Sequence, residues 1–502
     1  MTAFVLVPGT HTGGWIWEDV AARLRESGAQ AYPATLTGLG DRRHLAGPGT
    51  DLETHIEDLV QLIDHVDAPE VVIAGHGGGI VAALGAAGRR PERIARIVYV
   101  DTPVAQDGDP ALALVPDRTL RERLTQSAGA SGGDRRVSAP LLDEWHRFGS
   151  VAGVPVEALA RLDLLSAPQP PATLTQPFRL PETLAGLPTT GVLCTANGSS
   201  IAMLQAVVGF GDPRFQALTD PRVGFFELDT GHWPMLSCPD ELADVLLRAA
   251  AGEGHRLTAT VDEKPAHLRP FLLDVPERPR ERVGRVDLHL PDGDGPWPAV
   301  VLVHGGPVPA DARPTPRDWP TLVGYARYVA GLGAVGGTVD HRLHDLSDYG
   351  RAAEDVAEAV ELVRSDPRVD GERVALWYFS GGGLLSADLL PAPPPWLRCL
   401  AATYPVLAPL PNWGLADSRF RPAHMVRGAG QLPIVLTRVG LERPEIAATV
   451  EEFLTAAEDC GANVEVIDVP LGHHAFETID HTEQAREAVE RAVRSVLGHL
   501  RD

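Results

Sequence analysis

The sequence predicts an α/β architecture built twice along one chain, each copy a mostly parallel sheet flanked by helices. Three observations carry this expectation. The chain has 502 residues, whereas single domains rarely exceed about 250–300. Short apolar runs alternate with segments of helical periodicity in both halves, which is the pattern of strands joined by helical crossovers. Three turn sequences also recur in the same order in the two halves: Val7-Pro8-Gly9 and Val303-His304-Gly305-Gly306-Pro307, Gly75-His76-Gly77-Gly78-Gly79 and Tyr378-Phe379-Ser380-Gly381-Gly382-Gly383, Gly231-His232 and Gly472-His473-His474.

In the first half, Phe4–Val7 reads as a strand, and Ile56, Leu59, Val60 and Ile63 mark one face of a helix over Glu53–Val66. Val71–Ala74 is a second apolar run, followed by a glycine-rich turn and an alanine-rich helix. Ile94–Val100, Thr190–Cys194 and Val223–Leu228 are further strands. Residues 104–185 break the rhythm, rich in Pro, Arg and Leu, and read as a helical cap inserted into the first domain. The expected boundaries are 1–251 for that domain, 252–280 for a polar linker and 281–502 for the second.

The second half follows the same course. Val283–Leu290 and Ala299–Val303 read as strands, Leu322–Ala330 as helix, Val335–Val339 as strand and Arg351–Val363 as helix. Val374–Trp377 leads through a glycine-rich turn into another helix. Leu397–Ala402, Pro433–Thr437 and Val464–Val469 supply the later strands.

Composition excludes several classes of function. Lys+Arg total 44 against Asp+Glu 67, a net charge of −23, so a phosphate backbone would be repelled and no nucleic-acid partner is expected. Lys264 is the only lysine. Cys194, Cys238, Cys399 and Cys460 form no paired spacing for a disulfide framework or a zinc site. The opening Met-Thr-Ala-Phe-Val-Leu-Val reads as a strand, and no apolar run is long enough to span a bilayer, so the expectation is a cytoplasmic protein with no membrane partner. A homo-oligomer is compatible with the sequence.

Chemistry concentrates in the second half. A strand running into a tight turn with a central serine, then a helix, lifts that serine above the sheet. Here the serine is Ser380; Tyr378 stands where the pattern has its first glycine. A serine hydroxyl needs a base, and the base an orienting acid, in the chain order Ser, acid, His. His473 and His474 follow the last strand, and Glu442 follows Pro433–Thr437. Gly381 is a backbone N–H donor for a developing oxyanion, with Gly305 or Gly306 as the second, since Pro307 has no N–H.

With His304–Pro307, Asp340-His341-Arg342-Leu343, the serine turn, Gly440-Leu441-Glu442-Arg443-Pro444 and Gly472–Phe476, residues 281–502 resemble the α/β-hydrolase superfamily near its dienelactone hydrolase and small carboxylesterase branch. The resemblance implies hydrolysis of a carboxylic ester, thioester or lactone through an acyl-enzyme, with no metal and no organic cofactor. It favours His474 over His473, because the family pattern places the histidine before a small residue and Phe. The segment Tyr404–Leu432 is expected over the site, with Tyr404, Trp413 and His424 touching substrate.

Residues 1–251 resemble the plant-type esterase and hydroxynitrile-lyase branch of the same superfamily. The matching stretches are Val7–Gly9 with Gly13–Trp17, Leu36–Arg42, Ala74–Gly79, Arg93–Asp101 and Gly231–Met235. The nucleophile position there is Gly77, the acid position after Val192–Thr195 reads Ala196-Asn197, and of the three roles only His232 remains. This degenerate site of Gly77, Asn197 and His232 admits three readings: a domain kept for packing or dimerisation, a ligand pocket beneath the cap, or non-covalent chemistry with His232 as acid and base. Trp15 and Trp17 read as packing residues and Trp396 as structural. Trp145, His146 and Phe148 are candidates for lining a pocket in the cap, and His11 lies near the expected oxyanion loop. For the whole chain, cyclase, lyase or acyltransferase chemistry in bacterial secondary metabolism stays open, as does a non-catalytic scaffold.

Overall fold

Parallel strands cannot be joined by tight turns and need crossovers, usually helices; in both halves of this chain helices supply them. The computed structural model describes residues 2–129, 136–209, 213–258, 264–415 and 419–501. Contacts divide the chain into two units, Met1–Ala259 with Pro411–Gly414, and Thr260–Leu410 with Leu415–Asp502.

Unit 1 is a sheet of β1 (Ala3–Val7), β2 (Gln30–Pro33), β3 (Val71–His76), β4 (Ile94–Val100), β5 (Thr189–Cys194) and β6 (Val223–Leu228). Its order is β2-β1-β3-β4-β5-β6, with every neighbouring pair parallel. A sheet covered on both faces reads as a continuous apolar run, and β1 is buried throughout. Alternation then divides its side chains: Phe4 and Leu6 join one core with Val72, Ala74, Val98 and Val100, while Ala3, Val5 and Val7 join the other with Val71, Ile73 and Ile97.

The covering helices of unit 1 are α1 (Glu18–Glu26), α2 (Leu52–His65) and α3 (Gly79–Arg89). In α2 the periodic residues Ile56, Leu59, Val60 and Ile63 are buried, and Asp51 caps the N-terminus by accepting from the Thr54 N–H at 2.9 Å. The inserted cap contains α4 (Arg118–Gly129), α5 (Val156–Leu165) and α6 (Pro171–Thr175), with short 3₁₀ turns between. The sheet domain resumes with α7 (Ile201–Gly209), α8 (Pro213–Gln216), α9 (Pro234–Ser237) and α10 (Pro239–Ala250).

Unit 2 holds β7 (Arg280–Val283), β8 (Val286–His289), β9 (Trp297–Val303), β10 (Val335–Val339), β11 (Val369–Phe379), β12 (Leu397–Thr403), β13 (Ile434–Leu441) and β14 (Val464–His473). The order is β14-β13-β12-β11-β9-β10-β8-β7. Its six parallel strands repeat the order of unit 1, with β9 in the place of β1. An antiparallel β7–β8 pair extends the sheet beyond β10. Its helices are α11 (Pro320–Gly331), α12 (Tyr349–Arg364), α13 (Pro422–Met425), α14 (Pro444–Cys460), α15 (Phe476–Ile479) and α16 (Glu483–His499). Among the described residues no helix is long and apolar enough to cross a membrane.

Three expectations differ from this architecture. The single strand over Val283–Leu290 is a hairpin, because Gly284 takes a left-handed φ of +56° and reverses the chain. The helix after Ser380 is 3₁₀ over Ser380–Asp388, consistent with the poor helix propensity of Gly381-Gly382-Gly383. The linker over 252–280 is divided between the units: His255 bridges Phe225 and Leu257 is buried in unit 1, while Leu272 is buried in the core of unit 2. The parts of the expected linker, cap and insertion at 259–263, 130–135 and 416–418 lie outside the described residues.

Leu302 on β9 is fully buried between strands on both sides. Leu302→Ala is expected to destabilise the chain by about 2–5 kcal/mol, the range for truncating a core leucine, read as a lower urea midpoint.

Candidate functional site

In parallel sheets of this order the strand C-termini share one edge, and the side chains with chemistry gather there. In unit 2, β11 ends at Phe379 and Ser380 follows with φ +51°, a left-handed conformation rarely taken by a residue with a side chain. That strained turn directs the hydroxyl off the strand end. Ser380 Oγ lies 2.7 Å from His474 Nε2, and His474 Nδ1 lies 2.6 Å from Glu442 Oε2. Glu442 stands just past β13 and His474 just past β14, so three strand ends of the sheet contribute one group each.

Glu442 is 5% exposed at its side chain. Burial opposes its ionisation. The hydrogen bond and charge of His474, with the Arg443 N–H at 2.8 Å and the Arg443 charge, outweigh that and hold the carboxyl below its ordinary range. With Nδ1 hydrogen bonded to a carboxylate, Nε2 is the nitrogen left to accept a proton from the serine.

The loop after β9 closes against the nucleophile. A Cβ at Gly305 would stand 2.8 Å from Ser380 Cβ, and one at Gly381 would meet the Gly306 carbonyl oxygen at 2.5 Å. Only glycine permits this approach, and it brings Gly305, Gly306 and Gly381 together beside Ser380. Behind the loop, His304 and His341 stack at 3.6 Å with 8° between their planes. His341 Nε2 lies 3.0 Å from the His304 carbonyl oxygen. Burial pushes His304 down to about 4, partly offset by hydrogen bonds at Gly305 and His341, so this pair is neutral packing.

Of the three expected substrate contacts of unit 2, Tyr404 packs against the triad histidine, His424 pairs with a helix of its own unit, and Trp413 groups with the other unit. Tyr404 is 6% exposed, and its ring lies 4.7 Å from His474 and 6.1 Å from Phe476; it ends β12 and supports the histidine from within the core. His424 lies on α13 and pairs with Glu452 of α14 at 3.4 Å, because the segment after β12 folds onto that helix. Trp413 sits half-buried on the turn Pro411–Trp413, which groups with unit 1. His473, the alternative base, faces Asp480 at 3.0 Å.

One group in this site escaped the sequence reading. Glu477, three residues beyond His474, is fully buried and accepts a hydrogen bond from Tyr325 Oη at 3.0 Å. Burial pushes its carboxyl up to about 7 against the opposing hydrogen bonds. A helix of four residues has no periodic pattern that could have signalled that burial.

Unit 1 repeats the arrangement with different groups. Gly77 follows β3 with φ +49°, close to that of Ser380, and a Cβ built there would face His232 Nε2 at 3.7 Å. The expectation that His232 lacks a carboxylate is overturned: His232 Nδ1 lies 2.8 Å from Asp101 Oδ2. Asp101 follows β4 rather than β5, with φ +47°. Asn197 does not touch His232; its Nδ2 donates to Asp101 Oδ2 at 2.7 Å, and the Cys194 N–H donates to Asp101 Oδ1 at 3.0 Å. Asp101 ends a strand run that the sequence shows plainly, so its adjacency to that end was the available signal.

The cap closes over this edge. The His232 N–H donates to Ser150 O at 2.7 Å, and the Ser150 N–H donates to Asn197 Oδ1 at 2.7 Å. His11 is fully buried, its N–H donating to Gln169 Oε1 at 2.7 Å, and burial pushes its ring down to about 4 despite the Ala167 carbonyl. Trp145 and Phe148 are buried in a ring-to-ring cluster with Trp233, whereas His146 is exposed. Trp17 is core, and Trp15 carries the Arg161 guanidinium over its ring at 5.5 Å. In unit 2 Trp396 is covered in the same way by Arg364 at 4.7 Å. Among the described residues no cluster of His, Cys, Asp and Glu is arranged to hold a metal.

Glu477 has a measurable consequence. The folded chain holds its proton up to about pH 7, while the unfolded chain releases it near 4.5. The stabilisation is therefore complete below the lower value and lost as pH rises through the upper one. Glu477→Gln cannot ionise, so its Tm is expected to fall less than that of the unmodified chain between about pH 5 and pH 8, measured by thermal melts across that range.

Comparison with known proteins follows the same division. A model of the alpha/beta hydrolase family matches residues 4–245. A carbendazim hydrolyzing esterase of Nocardioides sp. (strain SG-4G) is 31% identical over 257 residues, covering 49% of this chain and 98% of that protein. The putative chloroplastic methylesterase 12 of Arabidopsis thaliana is 33% identical over 106 residues, 21% of this chain and 30% of that protein. Among solved structures, an extracellular alpha/beta-hydrolase from a Paenibacillus species aligns over 50% of this chain and 99% of its own, at 19% identity and a TM-score of 0.41. The family match over residues 4–245 and the 31% identity to a relative covered over 98% of its length show that the chain belongs to the alpha/beta hydrolase family.

Proposed function

We propose that the chain is a serine hydrolase acting on a carboxylic ester, thioester or lactone through an acyl-enzyme formed in unit 2. One observation carries this reading: the unbroken line from Ser380 Oγ through His474 to Glu442, at 2.7 and 2.6 Å. A hydroxyl is a poor nucleophile until a base takes its proton, and the base is effective when a carboxylate fixes its tautomer and stabilises the imidazolium.

In this reading Ser380 Oγ attacks the acyl carbon as its proton passes to His474 Nε2. Glu442 stays ionised and holds the ring. The oxyanion that forms is met by backbone N–H groups of Gly381 and of Gly305 or Gly306, which the glycine loop packs closely around Ser380. His474 returns the proton to the departing alcohol, thiol or ring oxygen. Water, activated by the same nitrogen, then releases the acid. No metal or organic cofactor enters these steps. The esterase names of the relatives support an ester as substrate, yet the family model falls on unit 1, where Gly77 replaces the nucleophile. Activity is therefore assigned to unit 2 from its geometry, with unit 1 unable to form an acyl-enzyme.

Ser380→Ala is expected to lower kcat for 4-nitrophenyl acetate by roughly 10⁶ and to abolish labelling by a fluorophosphonate probe. Unchanged labelling would remove the assignment. Glu442→Gln keeps the shape and loses the charge, and a fall of about 10⁴ in kcat is expected. Gly305→Ala forces a methyl against Ser380 and is expected to reduce kcat and also lower Tm, by about 1–3 kcal/mol of stability, assayed by steady-state kinetics beside thermal melts.

A further inference from the structure

We infer that unit 1 holds a second acid–base site that works without a covalent intermediate. Water in the space beside Gly77 is its nucleophile, His232 is the general base, and Asp101 positions His232. The ligand class is a small, largely apolar ester.

Four observations converge on this. Gly77 keeps the left-handed turn of a nucleophile position, at +49° beside +51° for Ser380. Its own chain neighbours aside, the one described atom within 4 Å of a Cβ at Gly77 is His232 Nε2 at 3.7 Å, so a Cβ there would face the base without a clash. His232 Nδ1 is committed to Asp101 Oδ2 at 2.8 Å, which leaves Nε2 as the basic nitrogen. Among the described residues no hydrogen bond to Nε2 is found, while the side chain keeps 11% exposure.

The fourth observation is the acid. Asp101 is 2% exposed at its side chain and is met by His232, Asn197 Nδ2 and the Cys194 N–H. Burying a carboxylate is costly unless it is paired and hydrogen bonded. A domain retained for packing alone has no use for a desolvated carboxylate aimed at a histidine. The corresponding strand end in unit 2 carries Tyr404, whose N–H donates to Thr437 O as that of Asp101 donates to Val192 O. Unit 1 has thus placed its carboxylate on a different strand from unit 2 while keeping the histidine supported. The buried Trp233 ring lies 5.1 Å from His232, with the Trp145 ring behind it at 5.4 Å from Trp233, so the base has apolar surroundings.

The step balances with water alone. The water oxygen bonds to the acyl carbon as its proton passes to His232 Nε2. The carbon–oxygen bond to the leaving group then breaks, and His232 returns the proton to the departing oxygen, yielding acid and alcohol. No acyl-enzyme forms.

The test uses the full chain carrying Ser380→Ala, or the chain with Ser380 blocked by fluorophosphonate should that variant fail to fold. Slow, burst-free hydrolysis of 4-nitrophenyl acetate is expected to remain. Adding His232→Ala is expected to lower it by about 10²–10⁴, the usual contribution of a general base. Adding Asp101→Asn is expected to lower kcat with KM little changed. Gly77→Ser in the same background is expected to gain fluorophosphonate labelling that His232→Ala removes. Residual hydrolysis indifferent to His232→Ala overturns the inference, as does a folded Gly77→Ser variant that takes no label. Labelling without His232-dependent hydrolysis also overturns it. Each readout passes through His232 and stands apart from whether Ser380 is itself the nucleophile of unit 2.

Discussion

Both halves of this chain depend on a left-handed residue at the end of the third strand in the parallel order. That residue must leave the sheet sharply enough for the following turn to begin at the strand end, and the backbone angle this requires is unfavourable for any side chain. Unit 2 accepts the strain at Ser380 and gains a half-buried hydroxyl turned toward His474. Unit 1 has Gly77, which takes the angle freely. The glycine-rich loop after β9 packs against Ser380 with no room for a methyl, so the neighbouring backbone is shaped by the same turn.

A second constraint acts on the histidine. In each unit it follows the last strand, and a support must reach it from a neighbouring strand end. Unit 2 uses Glu442 beyond β13, with the Tyr404 ring at the end of β12 against the imidazole. Unit 1 uses Asp101 at the end of β4, with Asn197 beyond β5 holding that carboxylate. The two strand ends have exchanged tasks: one offers the charge and the other steadies what carries it. Adjacent parallel strands end within hydrogen-bonding reach of the same histidine, so either can supply the acid.

The sheets explain why such exchange is tolerated. In unit 1 the side chains of β1, β3 and β4 alternate between two apolar cores, and burial on both faces fixes register firmly, since a slip of one residue would reverse every side chain. The loops at the strand ends carry little of that burden and are free to change chemistry. The cap of unit 1 adds buried Trp145 and Phe148 above its edge, while unit 2 extends its sheet at the far side with β7 and β8.

By itself the sequence pointed to most of the strands, the amphipathic helices, the repeated order of turns, and Ser380 and Glu442 with His473 or His474, a choice that only the family resemblance turned toward His474. These follow from periodicity, from turn chemistry and from chain order, all of which are local or ordinal. Tertiary structure alone decided that Asp101 reaches a histidine 131 residues away, that Asn197 serves Asp101, that Glu477 is buried beneath the site, and that His424 turns to Glu452. The reason is physical. A carboxylate reads alike in a sequence whether it is solvated or desolvated, and only the packing of neighbouring strand ends and helices fixes which groups share its hydrogen bonds.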